Sequence, residues 1–268
     1  MSHDVLAALL LGLVEGITEF LPISSTGHLI VIGDVLGFVD SFSKLFDVVI
    51  QFGAILAVVW MYRATLWRTL VGLSGDPSAR RFTLNVLLAF APAVVIGLIA
   101  HDFIKRVLFS PLVVAWAFIV GGIVILAVER WRPQPSIDST EAMPPPTALK
   151  IGLFQCLAMI PGTSRSGATI VGALLMRVTR EAATEFSFFL AIPTMAGATA
   201  LDLYKARGEL GQGQWGLIAI GFVVAFLSAL VVVRGLVGFV SRHGFAPFAW
   251  YRIVAGIGIL ALIYARGA

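Results

Sequence analysis

Two glutamates four residues apart, Glu15 and Glu19, lie inside the apolar run Ala7–Leu21. On a helix that spacing turns both carboxylates the same way. An acid at the centre of a bilayer costs on the order of 2.5–3.5 kcal/mol. One neutral glutamate bonded to a neighbouring helix would explain a single acid, but explains a pair poorly. Paired carboxylates suit a divalent cation, a general base, or both. Immediately after them, Ser24-Ser25-Thr26-Gly27-His28 brings three hydroxyls and an imidazole to a turn opened by Pro22. Gly27 permits close backbone approach there. A helix starting at that turn aims free N–H groups at an anion, although serine and threonine also serve as plain caps.

A second polar turn, Pro161-Gly162-Thr163-Ser164-Arg165-Ser166-Gly167, interrupts another apolar stretch. A guanidinium in a membrane needs a negative partner and has the fork geometry that grips phosphate oxygens. An ion pair of Arg165 with Glu15 or Glu19, holding the two turns together, is the plainer use. Divalent cation, guanidinium and hydroxyl nucleophile together are the usual parts of phosphoryl chemistry. Other polar residues have ordinary uses. Gln51 could reach the site but more readily bonds between helices, Asp34 suits either a cavity or the outer surface, and Arg252 near a helix start can snorkel.

The elements that carry these turns belong to a membrane. Of 268 residues, 59% are hydrophobic and 13% charged, and mean hydropathy is +0.95. A soluble domain carries roughly a quarter charged residues. The continuous apolar runs lack the alternation of a membrane barrel, so the fold is expected to be all-α. A net charge of +4 reads as the usual loop Lys/Arg excess, with no nucleic-acid partner. The one cysteine, Cys156, forms no internal disulfide, and Met1-Ser2-His3-Asp4 lacks the basic region of a cleavable signal.

Spans are expected at Phe46–Tyr62, Leu84–Ala100, Leu112–Val128, Phe186–Tyr204, Trp215–Val233 and Phe248–Tyr264. The pieces flanking the two turns are mostly too short to cross, which suits hairpins that enter and leave on one side. At an offset of 140, Leu11-Gly12-Leu13-Val14-Glu15 lies over Ile151-Gly152-Leu153-Phe154-Gln155, Ser24 over Ser164, Gly27 over Gly167 and Phe46 over Phe186. The expectation is one membrane domain with an inverted-topology repeat: repeat one at 1–129, repeat two at 149–268, and a Pro-rich, solvent-exposed cytoplasmic linker at 130–148. Each half holds one re-entrant helix hairpin and three transmembrane helices, and three is odd, so the halves are inverted. Eleven Lys/Arg against six place the loop after Tyr62 in the cytoplasm and both termini outside. The six include Lys105, Arg106 and Arg207. Gly121-Gly122 and Gly256-x-Gly258 hint at a homodimer through glycine-rich spans.

The sequence resembles the bacterial undecaprenyl pyrophosphate phosphatases associated with bacitracin resistance. The resemblance runs nearly end to end and is strongest in Glu15-Gly16-Ile17-Thr18-Glu19-Phe20-Leu21-Pro22-Ile23-Ser24-Ser25-Thr26-Gly27-His28 and in Pro161–Thr169; Glu185–Phe188 and Gly197–Lys205 also look like the family. It implies hydrolysis of undecaprenyl pyrophosphate to undecaprenyl phosphate and inorganic phosphate, dependence on Mg²⁺ or Ca²⁺, and a site opening to the outer face of the bacterial plasma membrane. It assigns the acidic motif to Glu15 and Glu19, the serine-histidine stretch to Ser25 and His28, and the arginine motif to Ser164 and Arg165 with Thr169. Ser24, Thr26, Gly27, Ser166 and Gly167 complete the expected phosphate contacts. Ser25 is the expected nucleophile with Glu19 as base or metal ligand; attack by water or by His28 stays open. A transporter of an anionic lipid phosphate is the competing reading, because such repeats also build secondary transporters.

Overall fold

The computed structural model describes residues 3–38, 41–103, 110–205 and 215–267. Lys105, Arg106 and Arg207, counted above for orientation, lie outside the described residues. The described chain is helical: α1 (His3–Thr18), α2 (Ser25–Val35), α3 (Ser41–Met61), α4 (Arg63–Gly72), α5 (Pro77–Phe103), α6 (Pro111–Trp131), α7 (Pro145–Gln155), α8 (Arg165–Leu175), α9 (Arg180–Lys205), α10 (Trp215–His243) and α11 (Ala246–Ala265). The one β-type contact is an isolated bridge between Ile137 and Val178. Among the described residues, α5, α6, α9, α10 and α11 are each long and apolar enough to cross a membrane, and α3 with α4 makes a sixth, bent by 70°.

Five of the six expected spans fall within these helices and Phe46–Tyr62 overruns α3 by one residue, but several helices run further. α10 continues ten residues past Val233, and α5 starts seven before Leu84. Arg234, Arg80 and Arg81 end the apolar runs without ending the helices, since arginine is a good helix former. Helix α4 was expected as loop. Its Trp67, Leu70 and Val71 are exposed, and the Arg63 guanidinium lies 4.8 Å from the Trp60 ring centre. Such a short, tryptophan- and arginine-bearing helix suits a membrane–water interface.

Helices α1 and α2 form one hairpin, α7 and α8 the other, and α7 passes into its turn through a 3-10 segment at Cys156–Met159. The first arm of each hairpin packs against a long helix of the opposite half: α1 on α10, α7 on α5. Both crossings are tight because glycine is present. A Cβ on Gly12 would stand 2.5 Å from the Gly221 carbonyl oxygen, and Gly152 lies against Ala89 in the same way. Gly121, Gly122 and Gly256 are used between α6 and α11, and only Gly258 of the expected dimer motif faces open space. Gly121, Gly122 and Gly256 therefore serve packing inside the chain.

The proline-rich segment is less exposed than expected. Met143 and Thr140 are buried, Asn85 Nδ2 donates to the Met143 carbonyl at 2.8 Å, and Ile137 bridges Val178. Proline removes helix donors, but the Ser136 and Ile137 N–H groups donate to the Arg177 carbonyl, and the Ile137 carbonyl accepts from the Thr179 N–H.

Candidate active site

Both turns use the same backbone. Ser24 and Ser164 hold positive φ angles of 71° and 74°, and the helices that follow, α2 and α8, each run 11 residues. At their far ends Gly37 and Arg177 also share positive φ, 65° and 64°. The closing bonds match too: the Phe38 N–H donates to the Gly33 carbonyl, and the Val178 N–H to the Ala173 carbonyl. Every one of these pairs keeps the offset of 140. A non-glycine residue at positive φ costs roughly 1–2 kcal/mol, so its recurrence at both serines marks a required turn.

One side chain holds the two turns together. Arg252 of α11, expected to snorkel, is fully buried and spends all five guanidinium donors on backbone carbonyls. Nη1 donates to Pro22 at 3.1 Å and Thr163 at 2.8 Å, and Nη2 to Gly162 at 2.9 Å and Ala117 at 2.8 Å. Nε donates to Phe118 at 3.3 Å. Snorkelling fails as a description because α6 and both turns close over the side chain, and the carbonyls replace water. Ser166 adds a second tie, its hydroxyl donating to the Leu21 carbonyl at 2.8 Å.

Around that tie the polar groups converge. Ser25 Oγ donates to Glu19 Oε2 at 2.5 Å, and Arg165 Nη2 donates to Glu19 Oε1 at 3.2 Å. Arg165 Nη1 donates to the Ser187 carbonyl at 2.9 Å, while its Nε is buried without a partner. Thr169 Oγ1 meets Ser187 Oγ at 2.8 Å, so Thr169 steadies the helix behind Arg165. Ser164 Oγ caps α8 by accepting from the Gly167 N–H at 3.1 Å. Ser24 offers α2 no such cap, which leaves the first N–H groups of α2 available to an anion.

A cavity of about 900 Å³ opens beside this cluster. Glu19, Ser24, Ser25, Thr26, Ser164 and Arg165 line its polar end with Gln51, Gln155 and Thr194. Its apolar walls come from α5, the 3-10 segment and α9, and reach the exposed Leu98 and Ile99. A polar head with an apolar exit into lipid suits an amphiphile with an anionic headgroup.

Other expected site residues stand further back. Gly27 faces Phe118 and Val114 of α6, and Gly167 faces Arg252, so their missing side chains admit protein neighbours. His28 does not line the cavity. Its Nδ1 donates to the Ser24 carbonyl at 2.7 Å, which leaves Nε2 to accept from the Tyr251 hydroxyl at 2.6 Å. Asp34 pairs with Arg266 at the surface.

Glu15 lies behind Glu19, fully buried, with both oxygens lacking a hydrogen-bond partner and with Glu19 and Asp47 as acidic neighbours. An orphaned buried carboxylate next to a second one is the chemistry of a cation site. No group of three or more His, Cys, Asp or Glu side chains able to hold a metal occurs among the described residues. A cation at Glu15 and Glu19 would therefore complete its shell with water or phosphate oxygens, as Mg²⁺ commonly does.

Four contributors were not legible beforehand as site residues: Arg252, Ser187, Gln155 and Thr194. Arg252 gave the fairest warning, as a lone arginine in an apolar run beside a tyrosine.

The family described as bacitracin resistance protein BacA matches residues 8–258. A protein named undecaprenyl-diphosphatase from Rhizorhabdus wittichii is 56% identical over 267 residues, covering 99% of this chain and 100% of that protein. The protein of the same name from Paracoccus denitrificans is 54% identical, with 99% of each chain covered. Undecaprenyl-diphosphatase 2 of Rhodospirillum rubrum is 57% identical over 258 residues, 96% of this chain and 94% of its own.

Proposed function

The chain belongs to the bacitracin resistance protein BacA family, and we propose that Ser25 and Glu19 are the nucleophile and base of its reaction. It is a multi-pass membrane hydrolase that converts undecaprenyl pyrophosphate to undecaprenyl phosphate and inorganic phosphate, returning the carrier lipid to cell-wall synthesis and giving bacitracin resistance. The observation that carries the assignment of roles is the 2.5 Å hydrogen bond from Ser25 Oγ to Glu19 Oε2 at the polar end of the cavity. Nucleophile and base are already within transfer distance.

Ser25 Oγ attacks the terminal phosphorus, and its proton passes to Glu19. The bridging P–O bond breaks, and undecaprenyl phosphate leaves with the electron pair. Once Glu19 has lost that proton to solvent, it takes one from a water that attacks the phosphoserine; the P–Oγ bond breaks, Glu19 returns that proton to Ser25 Oγ, and inorganic phosphate leaves. Arg165 leans on Glu19 at rest and turns its fork to the phosphoryl oxygens when substrate arrives, helped by the uncapped N–H groups of α2. His28 is a positioning residue: through the Ser24 carbonyl it holds the strained turn that presents Ser25. Ser24, Thr26, Ser164, Ser166, Gly167 and Thr169 bind or brace around the phosphate. A Mg²⁺ or Ca²⁺ ion held by Glu15 and Glu19 would supply charge neutralisation on the phosphates.

The matching turns at offset 140 and the exchanged packing of α1 on α10 and α7 on α5 support an inverted repeat with both hairpins re-entrant. The arginine count supports cytoplasmic placement of α4 and of 130–148, with both termini and the cavity mouth outside. Single cysteines at Ser136 and Arg266 in a Cys156→Ser background should label from opposite sides of intact cells. A homodimer is tested by light scattering in detergent.

Phosphate release from undecaprenyl pyrophosphate by purified protein tests the roles. Ser25→Ala and Glu19→Gln should each lower kcat by roughly 10²–10⁴-fold. A chelator should abolish wild-type release, and added Mg²⁺ or Ca²⁺ should restore it. Ser25→Ala at near-normal turnover would hand the attack to water.

A further inference from the structure

Gln155 closes α7 at the position that the 140 offset lays over Glu15. The two side chains share an oddity. Both are buried, and both leave polar atoms without hydrogen-bond partners: the two oxygens of Glu15, and Nε2 of Gln155. Gln155 is only 3% exposed and lines the cavity with Glu19, Ser25 and Arg165. Its Oε1 lies 3.3 Å from Thr194 Oγ1, whose own proton has a shorter partner in the Leu190 carbonyl at 2.8 Å. One end of the amide is thus weakly engaged and the other is free. An unsatisfied buried amide is costly, so its presence in a substrate cavity points to a ligand that satisfies it.

The charge around it says which ligand. Arg165 is the only cation lining the cavity among the described residues, and Glu19 already balances it. Asp202 lines the cavity as well, so a polyanion entering there meets a wall with one more carboxylate than cation and needs further donors. A carboxamide supplies two N–H groups without a charge, and next to an anion it turns Nε2 inward. We propose that Gln155 binds the pyrophosphate headgroup through Nε2. This inference rests on the phosphatase reading. It assigns the repeat-related pair opposite duties: Glu15 faces the cation and Gln155 faces the anion. A glutamate at 155, as at 15, would repel the same phosphate.

The probe is methylenebisphosphonate, a pyrophosphate that cannot be hydrolysed, titrated calorimetrically into detergent-solubilised wild type, Gln155→Leu and Gln155→Glu with Mg²⁺ present. Phosphate release from the lipid is measured alongside, with thermal unfolding of each unliganded protein. Expected are a Kd and a KM raised roughly 10- to 100-fold in Gln155→Leu, a larger loss in Gln155→Glu, and unliganded midpoints near wild type. Wild-type Kd and KM in a folded Gln155→Leu overturn the inference. Unfolding of both variants also overturns it, because the amide is then a structural tie. Wild type that binds the probe but releases no phosphate defeats the phosphatase reading instead, whatever Gln155 does.

Discussion

Arg252 shows how one side chain can be more informative than a motif. A lone arginine in an apolar helix reads as a surface group because its stem is apolar and its head can reach water. Nothing in the local sequence says that five carbonyls from three separate segments will arrive around it, since those contacts span 89 to 230 residues. Glu15, Glu19, Ser25 and Arg165 were legible for the opposite reason: they are expensive groups in cheap surroundings, and each occurs within a few residues of another. Arg252→Lys keeps the charge and offers three donors where five are used. It should lower the thermal midpoint by several degrees and cut phosphate release at least about tenfold, while Arg252→Met should prevent accumulation of folded protein. Fluorescence-detected gel filtration with heating checks both. A wild-type midpoint in Arg252→Lys would show that the clamp is dispensable.

At the scale of the element, the turns are the instructive case. Pro22 and Pro161 are one position out of step with the offset of 140, yet the backbone at Ser24 and Ser164 agrees to a few degrees of φ. Sequence identity was therefore a weaker guide than the serine positions themselves. The positive φ could not be read beforehand, because serine is not a residue that announces it. The two serines should respond differently to glycine. Ser24 caps nothing, so Ser24→Gly relieves strain and should stabilise the protein by about 1 kcal/mol. Ser164 accepts from the Gly167 N–H, so Ser164→Gly removes a cap and the gain is offset. Thermal unfolding of the two variants side by side tests the contrast. Helix ends at arginine were the poorest part of the reading, since Arg80, Arg81 and Arg234 stop an apolar run without stopping a helix.

For the whole molecule, the six spans, two hairpins and a central proline segment were legible from hydropathy and turn chemistry alone. Which helices touch was not, because packing by small residues leaves only scattered glycines in the sequence. The exchanged packing, α1 on α10 and α7 on α5, leaves neither half with a complete set of neighbours. Residues 1–135 or 136–268 expressed alone should be degraded, and coexpression of the two should restore a chelator-sensitive phosphatase. The cut falls in the exposed stretch Gln134–Ser136, ahead of the buried Met143. Activity from either fragment alone would refute the exchange.

The clamp on the two turns has a consequence for traffic. With both tips anchored to one guanidinium, the floor of the site is fixed, and whatever must yield to admit a lipid is the wall. That wall is α5 and α9, each of which carries a proline inside the helix, Pro92 and Pro193, where one backbone hydrogen bond is missing. A substrate drawn sideways out of the leaflet, its tail never leaving the oil, should therefore pass between these two helices, and stiffening the bilayer around them should slow phosphate release from the lipid.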